Sequence, residues 1–139
     1  MALHLIKLAV GVDDVAHLRR VQKERRRERG QYVFYTRHMP RRSAEILDGG
    51  CIYWVIKGFV RVRERILGFE PVAEDDGERY TLVRYDPKFI ETEWQPRRPF
   101  QGWRYLAPKD APPDRRAGAA AADDLPPAML QELRSLGLI

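Results

Sequence analysis

Apolar positions along the chain fall into short runs whose spacing names most of the elements. Residues 3–10 are apolar on both alternating faces, with Lys7 the only charge, and read as a central strand closed by Gly11. Asp13 or Asp14 then offers a short carboxylate to cap a helix. Val15, Leu18 and Val21 give that helix a narrow apolar stripe, and Gly30 ends it. Residues 32–36 are aromatic and β-branched and predict a strand. Ser43 is placed to cap a helical turn through Ala44, Ile46 and Leu47, and Asp48-Gly49-Gly50 is a turn signal. The run Cys51–Ile56 is apolar on both faces, as a buried strand must be. Gly58 marks a bulge or bend.

Residues 59–67 alternate. Val60, Val62 and Ile66 are expected on one face and Arg61, Arg63 and Arg65 on the other. Glu64 shares parity with the apolar set, and a carboxylate aimed inward must be paired or neutralised. An acidic hairpin over 74–78, a strand over 80–85, a turn at Asp86-Pro87 and a strand over 89–94 follow. Residues 107–124, with three prolines and an alanine run, have the composition of a linker. Pro126 suits the first turn of a final helix with a stripe of Met129, Leu130, Leu133 and Leu136.

Closely spaced strands with tight turns predict an α+β fold: a small curled, mostly antiparallel sheet or open β-barrel, one or two covering helices and a C-terminal helix. The expected organisation is a single domain over 1–114, a linker over 115–125 and a helical tail over 126–139.

With 139 residues the chain suits one ordinary domain, and its 44% hydrophobic composition is globular. No apolar run reaches the roughly 18 residues of a membrane span, and the start lacks the basic region of a secretory signal. A cytoplasmic protein without a membrane partner is expected. The net charge of +5 is distributed in blocks: +4 over 1–30, +3 over 31–70, −4 over 71–95, +4 over 96–116 and −2 over 117–139. Seven of the eleven residues 19–29 are basic. Basic blocks gathered on one face attract polyanions by counterion release.

Candidate chemistry is sparse. The single cysteine, Cys51, opens a buried strand and reads as a small core residue. His4, His17 and His38 lack metal-site spacing, so neither a metal nor another cofactor is expected. Lys57 and Glu64 flank the glycine bend, either as an acid–base pair or as a structural ion pair. The richer constellation is basic and aromatic: Arg97, Arg98 and Arg104 among Phe100, Trp103 and Tyr105. Arginines hold phosphates and aromatic rings stack bases. The alternative is that the rings fill the core and the arginines cover its rim.

Two segments carry a resemblance. One is Asp48-Gly49-Gly50-Cys51-Ile52-Tyr53-Trp54-Val55-Ile56-Lys57-Gly58, with Arg65-Ile66-Leu67 after it. The other is Arg97-Arg98-Pro99-Phe100-Gln101-Gly102-Trp103-Arg104-Tyr105-Leu106, with Asp110-Ala111-Pro112 after it. With His4-Leu5-Ile6-Lys7-Leu8, they resemble an uncharacterised family of small bacterial proteins classed as a domain of unknown function. The likeness spans residues 3–114 and leaves the linker and final helix outside it. More loosely the pattern is similar to the PUA-like superfamily and its ASCH branch. That resemblance implies a small open barrel that binds RNA or modified bases, and in some ASCH proteins hydrolysis of acylated nucleosides.

Three readings stay open. In the first, an RNA- or nucleotide-binding module, Arg61, Arg63, Arg65, Arg97, Arg98 and Arg104 hold phosphates while Phe100, Trp103 and Trp54 stack a base, which requires them to meet in one cleft. In the second, a hydrolase acting on a modified nucleoside or amide, Thr36, Lys57 and Glu64 converge. In the third, the C-terminal helix makes the chain a protein-interaction module.

Overall fold

The computed structural model describes residues 2–73 and 77–115. Asp14 opens the main helix, α1 (Val15–Arg29): its carboxylate accepts a 2.7 Å hydrogen bond from the backbone N–H of His17. Gly30, at φ 79°, turns the chain out of α1 in the left-handed conformation open to glycine. Before the helix runs β1 (His4–Leu8), and after it β2 (Val33–Thr36), the short helix α2 (Ser43–Leu47) and β3 (Cys51–Ile56). Ser43 is the first helical residue of α2 rather than its cap, and Arg42 at the cap position makes no capping side-chain bond.

Next come β4 (Phe59–Ala73), β5 (Arg79–Tyr85), β6 (Ile90–Pro96) and β7 (Trp103–Leu106). They form one mixed sheet in the order β2-β5-β4-β3-β1-β7, with β6 paired to β4 off that path. Among the described strands, only β1 and β3 pair in parallel. β4 is long enough to serve three partners, pairing β3 and β6 along its first half and β5 along its second. The chain is therefore a curled α+β fold whose sheet does not close, as the spacing of the strands predicts.

The bend at Gly58 is a two-residue hairpin. Lys57 (φ 51°) and Gly58 (φ 85°) both take positive φ between the paired Ile56 and Phe59, the geometry that matches strand twist. Gly50 has a different reason: a Cβ there would lie 2.2 Å from the Leu3 carbonyl oxygen and 2.4 Å from that of Ile46, so only glycine lets α2 reach β3.

Both faces of the sheet are covered. On one, α1 packs Leu18 over Leu5, Ile52, Trp54, Val62 and Ile66. On the other, Phe100 and Ala111 pack over Ile6, Cys51, Tyr53, Val55, Val60 and Leu106. Val60 and Val62 thus belong to opposite layers, contrary to simple alternation. A bulge lies between them: Trp54 pairs Val62, while the next residue, Val55, pairs Val60. The extra residue, Arg61, shifts the parity. The linker-like composition of 107–124 also misleads at its start. Pro108–Asp110 is a 3-10 turn, Asp114 bridges to Thr92, and the Arg63 side chain grips Asp114. The linker over 115–125 and the helix over 126–139 lie, but for Arg115, outside the described residues. None of the described helices is long and apolar enough to cross a membrane.

Candidate nucleotide-binding cleft

The two ends of the strand order, β2 and β7, face each other across an open seam, and a cleft of about 590 Å³ occupies it. Tyr35, Thr36, Arg37 and His38 line one side, Gln101 to Tyr105 line the other, and Lys7 of β1 lies between. Register explains the wall: Trp103 pairs Lys7 and Tyr105 pairs Leu5, so both rings share a face, with centroids 5.0 Å apart and edge-to-face. Trp103 is half-buried and Tyr105 exposed. The segment after β2 latches onto this wall, as the backbone N–H of Arg42 donates to the Tyr105 hydroxyl at 3.2 Å.

Lys7 and Tyr35 also line a second, smaller cavity of about 260 Å³ beneath α1. Gln22, Arg25 and Arg29 reach it from the helix, and Phe34, Trp54 and Tyr85 line it from the strands. Arg29 donates to the Val33 carbonyl at 3.2 Å and lies 4.8 Å over the Tyr35 ring. Lys7 and Arg25 have no hydrogen-bond or ion-pair partner among the described residues. The Lys7 ammonium is held below the usual lysine range, first by burial and then by Arg25. Two cations press on each other there without a counter-ion.

Behind the cavity lies Glu64, fully buried as its parity requires. Its partners are Gln22, which donates to Oε1 at 2.7 Å, and the Trp54 indole N–H, which donates to the same oxygen at 2.9 Å. Oε2 has no hydrogen-bond partner. Burial pushes the carboxyl up to about 8 against the two donated bonds, with Asp86 raising it further and Arg19 opposing. Glu64 is therefore neutralised, one of the two fates open to an inward carboxylate.

Strand register divides the arginines from the tryptophans. Arg63 and Arg65 pair Tyr53 and Cys51, on the face away from α1, whereas Trp54 and Trp103 share the α1 face through Lys7. Arg63 makes a two-point contact with Asp114 (2.7 and 2.8 Å) and donates to Cys51 Sγ at 3.1 Å. Arg61 lies 3.5 Å over the Trp94 ring and is lowered to about 10, mainly by burial. Arg97 is held by Gln95. Arg65 and Arg98 are exposed. Arg104 lines the seam but donates to the Gln101 and Trp103 carbonyls and lies 5.6 Å over Phe100, which packs into the layer away from α1. Trp54 is buried in the core. Of the expected cleft, Trp103 and Arg104 stand at the seam, together with Thr36.

The expected catalytic trio is likewise dispersed. Lys57 at the hairpin tip pairs with Asp13 at 3.2 Å, Glu64 holds Gln22 and Trp54, and Thr36 lines the seam. No hydrogen bond or ion pair joins the three among the described residues.

Sequence reasoning passed over Lys7, Arg25, Tyr35, Arg37 and Gln22 as site residues. The signal for Lys7 was present: it shares parity with Leu5, as Glu64 does with Ile66.

A family model described as a protein of unknown function, DUF1489, matches residues 5–139. The chain belongs to that family. The match runs through the proline- and alanine-rich stretch and the predicted last helix, so DUF1489 includes the C-terminal region that the sequence resemblance left outside. No curated protein and no solved structure matches the chain.

Proposed function

We propose that this member of DUF1489 is a nucleotide- or RNA-binding module whose site is the seam between β2 and β7. The observation that carries the reading is the lining of that seam. Trp103, Tyr105 and Tyr35 offer ring faces and edges to a flat base, with Lys7 and Arg37 beside them to meet phosphate. Base stacking on such rings contributes about 1–3 kcal/mol per base and needs no sequence code. The basic helix α1 extends the positive surface beyond the seam, with Arg19 through Arg29 supplying non-specific attraction. The proposed phosphate contacts differ from the arginine ladder expected of β4, whose charges are engaged or face away.

Fluorescence anisotropy with a labelled single-stranded oligoribonucleotide, measured across a salt series, tests the reading. The affinity is expected to fall steeply and linearly on a log–log plot, with a slope of about −0.7 for each phosphate contacted. Absent binding, or binding indifferent to salt, would overturn it.

A further inference from the structure

We infer that the small cavity under α1 is a receptor for a terminal phosphate monoester, the charged end of a nucleotide whose base lies in the adjoining seam. The assignment rests on the nucleotide reading and deepens it, because the two spaces share Lys7 and Tyr35 as a common wall.

Lys7 is half-buried in the middle of a sheet and has no partner among the described residues, and Arg25 at the same cavity has none either. Arg25 is exposed at the cavity rim, whereas Lys7 is half-buried, and holding a partly desolvated ammonium beside a second cation is costly unless an anion completes the site. Glu64, which lies behind the cavity wall through Gln22 and Trp54, does not serve. Both its donors hold Oε1, and its charge is suppressed by burial. The cavity therefore offers fixed positive charge without internal neutralisation.

A phosphate monoester carries close to two negative charges near neutral pH, whereas a diester within a strand carries one. Half-buried Lys7 and the exposed Arg25, with Arg29 held beside them by the Val33 carbonyl, match the higher charge, and a guanidinium fork suits phosphate oxygens. A volume of about 260 Å³ accommodates a phosphate group with part of its sugar, leaving the base to the larger seam of about 590 Å³. The Gln22 amide is fixed by its bond to Glu64, so the helix side of the cavity is preorganised there rather than adaptable.

The same terminal group occurs on a free nucleoside monophosphate and at the end of an RNA strand, so the test uses both. Calorimetry or anisotropy on the full chain would compare nucleosides with their monophosphates. It would also compare short oligoribonucleotides carrying a 5′-phosphate, a 3′-phosphate or hydroxyls at both ends. A phosphorylated end is expected to bind about 10–100-fold more tightly than its hydroxyl counterpart. Lys7→Met and Arg25→Gln, checked for an unchanged thermal transition, are expected to abolish most of that advantage, whereas Arg63→Gln keeps it. A monophosphate that binds as well as the oligonucleotide points to a free nucleotide, and a large gain from the strand points to an RNA end. Either result supports the receptor. Equal affinity for phosphorylated and hydroxyl ends, or an advantage that survives Lys7→Met, overturns the receptor but leaves the nucleotide reading standing. Absence of binding of any of these ligands to the unaltered chain overturns both.

Discussion

The two faces of the sheet use their cations in opposite ways. Away from α1, most of the guanidinium groups are engaged. Arg63 clamps Asp114 and touches Cys51, Arg97 holds Gln95, and Arg104 caps nearby carbonyls. The Arg63 contact fastens the segment after β7 onto the sheet. Under α1 the arrangement reverses, with Lys7 and Arg25 beside a cavity, unpartnered among the described residues, and the one buried carboxyl neutral. The lesson is that a count of basic residues says little about binding. What matters is which charges the fold leaves uncompensated, because an engaged arginine must break a contact before it can hold a ligand.

The comparison depends most on the protonation of Glu64, and that gives the largest expected effect. Its carboxyl ionises near 4.5 when exposed and near 8 in the folded chain. Between those values the folded state keeps a proton that the unfolded state has lost, so stability falls as pH rises through the window and levels off above it. The loss is on the order of a few kcal/mol. Urea midpoints at pH 5, 7 and 9 should record it, and Glu64→Gln, which mimics the neutral acid, should flatten the slope. If the variant keeps the full slope, the source of the pH dependence lies elsewhere, and the contrast between the two faces loses its basis. An ionised Glu64 would also act as a counter-ion for Arg19 and the helix cations, weakening anion binding above pH 8.

How much of this was legible beforehand follows from particular residues. Periodicity was enough for α1, for the fully buried Cys51–Ile56 strand and for the inward aim of Glu64, because each depends on local spacing. The partner of Glu64 was hidden, although its signal was near: Gln22 stands four residues after Leu18 on the same helix face. The site stayed obscure for two physical reasons. A single bulge residue, Arg61, reverses the parity of Val60, and nothing in the local pattern announces it. The seam lies between β2 and β7, elements about seventy residues apart, and a long-range approach of that kind leaves no local trace. The arginines were conspicuous because they cluster in sequence, whereas Lys7 was inconspicuous because it is alone.

The next effect separates the aromatics of the two faces. Trp103→Ala removes the seam's largest ring and should weaken nucleotide binding by about tenfold, within the range of one stacking contact. Phe100→Ala, in the opposite layer, should leave affinity nearly unchanged while lowering the denaturation midpoint, because its ring packs with the core residues there. A titration of both variants with the same nucleotide decides between them. If Phe100→Ala were the one to lose binding, the site would lie on the face away from α1.

The smallest effect concerns Arg63, the most heavily engaged of the predicted phosphate-binding arginines. Its guanidinium meets Asp114 at two points and holds that carboxyl below the usual range, and both side chains keep appreciable exposure, 23% and 49%. Solvent screening limits such a pair to about 1 kcal/mol. Arg63→Gln should therefore lower stability by about that amount, a shift of a few degrees in the thermal transition. It should also loosen the strand-like contact of Asp114 with Thr92, visible as faster amide exchange over 110–115. Nucleotide affinity and its salt slope should not move, because the charge removed was never free. A lowered salt slope in this variant would mean that Arg63 releases Asp114 to meet phosphate, and the two faces would then share the work of binding.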